Sequence, residues 1–344
     1  MPAPEDPMTD PSPPAPIWAV TTGEAGNRSQ AEGLAAALGE PWRALAGYPP
    51  RPWSWLPSPW AARAGLERLL GPGSDSFSPP WPAVIVACGR RAATLALATR
   101  ARCRRAGAPA PFLVQILDPQ VGVRHFDMVV APAHDRLTGP NVVTTQGALH
   151  RLTRARLAAG AEAWAPRLAG LPRPLVAVLV GGASHACPFS PGHARALAET
   201  LAAFARAHGV GLVVTPSRRT GPDNAALIAR ALSPLGALVW DGTGPNPYDG
   251  MLALADAILV TEESVSMVSE ACFPGKPVYT LPMPGGSARH ARFLADLRGQ
   301  GFIRPFGGAL EPWSPPAPLD EAARVAALVR QRLGWPPRSR GAER

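Results

Sequence analysis

Ile258-Leu-Val-Thr261-Glu-Glu-Ser264-Val-Ser266-Met-Val-Ser269-Glu270-Ala-Cys272-Phe-Pro-Gly275-Lys276-Pro277-Val278-Tyr-Thr-Leu281 reads as strand, polar turn, helix and second strand. Residues 258–261 and 278–281 are short apolar runs. Ser264 opens a helix that reaches Cys272, and Gly275-Lys276-Pro277 punctuates the step into the next strand. Two strands joined through a helix run parallel, because the crossing returns the chain to the same end of the sheet. The same syntax repeats outward through the second half: 175–180 before Gly181-Gly182, 212–215 before Ser217-Arg218-Arg219-Thr220, and 238–240 before Asp241-Gly242-Thr243-Gly244. It also recurs toward the N-terminus, with strands expected at 17–22, 42–46, 83–87, 112–117, 127–131 and 142–145.

Strands alternating with helices predict an α/β chain of two doubly wound Rossmann-like domains facing across a cleft. The expected boundaries are a flexible tail at 1–16, an N-terminal acceptor-side domain at 17–152, a C-terminal nucleotide-sugar-binding domain at 153–318, a helix at 319–334 and a tail at 335–344. The helix 153–168 and the turn Gly170-Leu171-Pro172-Arg173-Pro174 lead into the second domain.

A hydrophobic share of 46% suits packed cores, yet no apolar run approaches the length of a membrane-spanning helix. The proline-rich start carries Glu5, Asp6 and Asp10 and lacks the basic and apolar regions of a signal peptide, so a cytoplasmic protein is expected. Cys88, Cys103, Cys187 and Cys272 are scattered without a CxxC spacing and read as buried small hydrophobes. The net charge of +9 comes almost wholly from arginine, Lys276 being the only lysine. Its spread over many helices does not indicate nucleic-acid binding; a basic face toward anionic lipid or an anionic substrate fits as well.

Ligands of open α/β sheets gather at the carboxyl ends of strands, so the post-strand loops carry the candidate sites. Gly181, Gly182 and Ser184 form a turn whose backbone can approach a diphosphate, or a plain tight turn. Ser217, Arg218 and Arg219 offer a guanidinium fork, or a solvated loop. Asp241 lies in a loop that either lines a base pocket or simply turns. Glu263, Ser264 and Ser266 sit at a helix start that attracts phosphate, and Glu270, one turn on from Ser266, has the reach to hold a ribose diol; the plain alternative is an ordinary N-cap with a solvated glutamate. In the first half the polar groups at strand ends are Glu24, Asn27, Gln30, Arg91, Asp118, His134 and Asp135. Of these, Glu24, Asp118, His134 and Asp135 are the catalytic candidates. A surface loop is the alternative for His134-Asp135. No HExxH, DxD or GxSxG occurs, so no metal or cofactor is called for and no oligomer is inferred.

Segments 26–34 (Gly-Asn-Arg-Ser-Gln-Ala-Glu-Gly-Leu), 88–91 (Cys-Gly-Arg-Arg), 134–142, 214–220 (Val-Thr-Pro-Ser-Arg-Arg-Thr) and 261–271 resemble the bacterial relatives of the plant ELM-type mitochondrial fission factor. A wider similarity links the chain to GT-B glycosyltransferases such as the peptidoglycan N-acetylglucosaminyltransferase. There, a Ser-Glu on a late helix followed by Gly-x-Pro binds the ribose of a uridine-diphosphate sugar, matching Ser269-Glu270 and Gly275-Lys276-Pro277. That family's Gly-Gly-Ser phosphate loop resembles Gly181-Gly182-Ala183-Ser184. Its Gly-Gly-His loop is replaced by Gly23-Glu24-Ala25-Gly26-Asn27, which supplies no histidine. The resemblance implies a metal-independent glycosyltransferase that uses a nucleoside-diphosphate sugar as substrate. The alternatives are a sugar-nucleotide epimerase and a catalytically silent adaptor.

The stretch 48–60 packs Trp53, Trp55 and Trp60 beside Arg51 among prolines, with Arg63 and Arg68 following. It reads either as a surface docking on the cytoplasmic membrane face toward a lipid-linked acceptor, or as a loop whose tryptophans plug the core edge. Burial distinguishes the two.

Overall fold

The computed structural model describes residues 16–184 and 186–337; the tails expected at 1–16 and 335–344 fall almost wholly outside them. The chain forms two compact units. One holds residues up to 131 together with 138–143 and 326–335; the other holds 132–137 and 144–325. The division therefore differs from a cut after residue 152: residues 132–137 and 144–152 belong with the second unit, and most of the last helix belongs with the first.

The first unit contains strands β1 (Ile17–Thr21), β2 (Trp42–Ala46), β3 (Val84–Cys88) and β4 (Phe112–Ile116), with all but the last residue of β5 (Met128–Pro132) and the first half of β6 (Val142–Thr145), in the order β2-β1-β3-β4-β5-β6. Its helices are α1 (Ala25–Ala37), α2 (Ser58–Ala61), α3 (Leu66–Leu69) and α4 (Arg90–Arg105). Every residue of β1 and of β3 is buried, as a parallel strand covered on both faces must be. β2 and β3 lie on opposite sides of β1, so the chain reverses its winding there.

The second unit comprises helices α5 (Arg154–Leu168), α6 (Pro191–His208), α7 (Pro222–Leu232), α8 (Tyr248–Leu254), α9 (Val265–Cys272), α10 (Ala288–Gly299) and the start of α11 (Glu321–Leu333). Its strands are β7 (Leu175–Val180), β8 (Gly211–Pro216), β9 (Leu238–Val239), β10 (Ala257–Thr261), β11 (Val278–Leu281) and β12 (Arg304–Pro305). They are all parallel, in the order β12-β11-β10-β7-β8-β9. Alternation along β7 divides the core into two layers: Leu175, Ala177 and Leu179 face one, Val176, Val178 and Val180 the other. The first layer includes Trp164 of α5, Met251 of α8, Phe273 and Phe293; the second includes Leu201 and Phe204 of α6 and Ile228 of α7. Helices α5 and α8 meet closely at glycine: a Cβ at Gly250 would lie 2.6 Å from that of Trp164. All four cysteines are buried with free thiols.

Helix starts follow local chemistry. The Thr153 side chain accepts from Arg156 N at 3.1 Å, Ser190 forms a capping box with His193, and Ser264 and Ser287 cap α9 and α10. The only lysine is half-buried and closes α8. Lys276 Nζ donates to the carbonyls of Ala253 and Ala255, and burial lowers its pKa to about 8.

His150 is sealed in the second unit with its ring edge-on to Phe273 at 5.0 Å, and burial lowers its pKa to about 4. The unfolded chain binds a proton near pH 6.5 that the folded one refuses. Stability present above pH 6.5 is thus lost as pH falls toward 4, by about 3 kcal/mol over that window. Denaturant titrations from pH 7 to 4 are expected to show this loss in the wild type and a much shallower one in His150→Gln.

Candidate functional site

Strand β7 lies between β8 and β10, so successive connections leave it in opposite directions and open a crevice at its carboxyl end. Three expected loops meet there. Gly181 N donates to Thr261 Oγ1 at 2.8 Å, Gly182 N to Glu263 Oε1 at 2.8 Å, and Ala183 N to the Arg219 carbonyl at 3.1 Å. Thr220 Oγ1 donates to the carbonyls of Val180 and Gly181, pinning the 217–220 turn. Ser217 Oγ accepts from Arg219 N at 3.2 Å, and the Arg219 guanidinium lies 3.5 Å from Glu263. The approach leaves no room for a side chain at Gly182, and none at Gly181 while Glu263 stays in place. A Cβ on Gly181 would stand 1.5 Å from Glu263 Oε1, and one on Gly182 would stand 2.1 Å from the Arg219 carbonyl carbon.

Ser264 caps α9 by accepting from Met267 N at 3.4 Å, and half-buried Ser266 occupies the first turn. Arg218 is exposed beside Arg219. Ser184 pairs with Cys187 through two backbone bonds of 2.8 and 3.2 Å. Next to this cluster is a cavity of about 460 Å³ whose walls include Ser184, Glu263, Gly286, Ser287, His290 and Arg298. The last four were not singled out from the sequence. Gly285-Gly286-Ser287 after β11 follows the same strand–Gly-Gly–serine syntax as 181–184, and that was the signal available.

Glu270 does share a face with Ser266, and it is half-buried: the Tyr248 hydroxyl of α8 donates to its carboxylate. Burial raises the Glu270 pKa, with the Tyr248 bond opposing. Burial, then the Glu270 charge, pushes Tyr248 well above its usual range. Ser269 points elsewhere, donating to Val265 O at 2.7 Å and accepting from Ala148 N at 2.9 Å. Asp241 follows the edge strand β9 and closes its own exposed turn on Thr243 N and Oγ1 at 2.8 and 2.7 Å, bonds that lower its pKa.

The catalytic candidates separate. Glu24 and Asp118 belong to the first unit, both exposed; Glu24 accepts from Thr22 Oγ1 at 2.6 Å and Asp118 from Gln120 N at 2.7 Å. His134 and Asp135 belong to the second unit, where the expected surface loop is a packed contact with α10. His134 is buried edge-on to Phe293 at 5.3 Å, its Nε2 3.4 Å from Asp135 Oδ1. Asp135 holds Arg289 at 2.5 Å, and Arg292 donates to the His134 carbonyl at 3.1 Å. Burial lowers the His134 pKa, Asp135 opposing. In the first unit Trp55 and Trp60 are 64% and 68% exposed, so neither plugs the core; Trp53 is half-buried. The Arg51 guanidinium stacks 4.3 Å from the Trp55 ring.

Two Rossmann-like units, the second with a glycine-lined crevice at its switch point, define a GT-B-like α/β protein. The fold is similar to a putative UDP-N-acetylglucosamine 2-epimerase from Listeria monocytogenes, with a TM-score of 0.52 and 10% identity, over 93% of this chain and 97% of that one. It is also similar to the UDP-GlcNAc 2-epimerase from Methanocaldococcus jannaschii, with a TM-score of 0.50 and 10% identity, over 92% and 99%. Residues 25–333 match the family described as Mitochondrial fission ELM1, and the chain belongs to that family. It is 33% identical over 306 residues to the mitochondrial fission protein ELM1 of Arabidopsis thaliana, covering 80% of this chain and 70% of the relative. It is 26% identical to the uncharacterized protein RP120 of Rickettsia prowazekii (strain Madrid E), covering 91% and 97%. Among the described residues no helix is long and apolar enough to cross a membrane.

Because the atom that a Gly182 side chain would strike is backbone, no rotamer change relieves the clash. Gly182→Ala is expected to cost about 1–3 kcal/mol in urea unfolding. Gly307→Ala, where a Cβ meets nothing within 4 Å, is expected to stay near wild type.

Proposed function

We propose that the second unit binds a nucleoside-diphosphate sugar at the carboxyl ends of β7, β8, β10 and β11, and that the protein is a metal-independent glycosyltransferase. The convergence of Gly181-Gly182, Arg219 and the α9 N-terminus at the switch point carries this reading. Backbone N–H groups, the positive end of a helix dipole and a guanidinium are the donors that stabilise a diphosphate, both when bound and as charge develops on the leaving group. Glu270, with the Tyr248 hydroxyl beside it, is the ribose anchor in this reading. Of the acid–base candidates, Glu24 and Asp118 of the first unit face solvent, whereas His134 of the second is packed against Phe293.

Incubation with a panel of sugar nucleotides and a lipid-linked acceptor fraction is expected to release nucleoside diphosphate. Recovery of a new sugar epimer instead would identify an epimerase, and binding without turnover an adaptor. Glu270→Ala is expected to weaken nucleoside-diphosphate binding by about 1.5–3 kcal/mol, the range for hydrogen bonds to a charged group. Unchanged affinity by calorimetry in a folded variant removes the ribose assignment.

The exposure of Trp55 and Trp60 favours an anionic bilayer as the partner of the first unit, where the acceptor would be met. Indole rings suit the membrane–water boundary, and Arg51, Arg63 and Arg68 supply the complementary charge. Co-sedimentation with vesicles containing anionic phospholipid is expected, with a several-fold drop in the Trp55→Ala/Trp60→Ala double variant. Sedimentation that is absent or indifferent to both changes excludes this partner.

A further inference from the structure

Glu263 lies in the diphosphate cradle that the proposed function requires. Its side chain is 2% exposed. Oε1 takes the Gly182 N–H at 2.8 Å and has the Arg219 guanidinium at 3.5 Å, the same donors a phosphate oxygen would use. Oε2 is buried with no hydrogen-bond partner. A carboxylate has room for about four hydrogen bonds, and leaving an oxygen unmet away from water is costly. Glu263 is thus enclosed but weakly held. Gly181 is what admits it, since a Cβ there would overlap Oε1. The sequence marks it as a ligand-binding residue, and its carboxylate sits among the donors such a ligand would use.

We infer that Glu263 is a resident anion that the ligand's diphosphate displaces, so that this one carboxylate sets how strongly an anion must bind to enter the cradle. Two negative groups at close range do not share one N–H and one guanidinium. The ligand replaces Glu263 donor for donor, and the neighbouring cavity, of which Glu263 forms a wall, gives the side chain somewhere to turn; Ser184 and Ser287 also line it. The consequence is selectivity: a single weak anion does not evict the carboxylate, whereas a diphosphate that also engages the α9 N-terminus does. A permanent brace for the Gly182 amide would behave in the opposite way, because neutralising it would loosen the loop and weaken every ligand.

The inference rests on the nucleotide-site reading, and calorimetry with inorganic pyrophosphate, UDP and uridine separates the two. Glu263→Gln keeps the shape and removes the charge. It is expected to bind pyrophosphate and UDP at least about tenfold more tightly than the wild type, with uridine unchanged. Glu263→Ala is expected to do the same and serves if the glutamine variant does not fold. UDP binding that is equal or weaker in variants melting like the wild type overturns displacement and leaves the site standing. Failure of the wild type and both variants to bind pyrophosphate or UDP removes the site and displacement with it. Loss of folding in both variants makes Glu263 a brace and also overturns displacement.

Discussion

Strand β7 is buried along its whole length and hydrogen-bonded on both sides, and its two flanking strands come from opposite windings of the chain. That single placement forces the loop after it to turn where neighbouring loops already crowd. Gly182 is the response, because only a backbone without Cβ fits against the Arg219 backbone, and Gly181 beside it leaves room for the Glu263 carboxylate. The hydrogen bonds from Thr220 to the ends of β7, and from Gly181 to Thr261, then lock three loops into one body. The crevice is a by-product of sheet topology, and its chemistry is whatever those three loops bring.

What they bring is more balanced in charge than the whole chain suggests. The formal charge of +9 would lead one to expect an open basic pocket. Instead, acids inside the unit already engage several of the cations: Glu263 meets Arg219, Glu262 meets Arg298, and Asp135 meets Arg289. On the proposed reading an anionic ligand would exchange partners with these acids, so rearranged pairs would matter more than net charge. Glu270 and Tyr248 form a fourth such pairing, in which the shared proton and not a cation meets the carboxylate.

Most of the fold was legible because parallel strands buried on both faces leave short, dense apolar runs; 175–180 and 258–261 correspond to strands within a residue. Helix starts were legible where serine or threonine caps them, at Thr153 and Ser264. The loops at Gly181, Ser217 and Glu263 were placed near one another by the rule that switch points gather loops. What was missed needed distance information. Nothing in the sequence says that Tyr248 reaches Glu270 from another helix, that Ser269 turns to Ala148, or that His134 packs beneath α10. The cut after residue 152 failed to anticipate that 144–152 packs with later elements, because segment membership is decided by contacts such as His150 on Phe273 rather than by loop composition.

A chain that uses arginine for nearly all its positive charge keeps one side-chain amine, and that amine holds the last carbonyls of α8. Guanidinium groups resist acylating reagents at neutral pH, so amine-directed chemistry has a single internal address in this protein. Burial that brings Lys276 to about pH 8 leaves a useful fraction uncharged and nucleophilic, while its two carbonyl partners keep it occupied. Lys276 thus marks the end of α8, the helix that also carries Tyr248, the partner of Glu270. The use of arginine rather than lysine everywhere else leaves the second unit with one side-chain amine, a single point at which amine chemistry can address it.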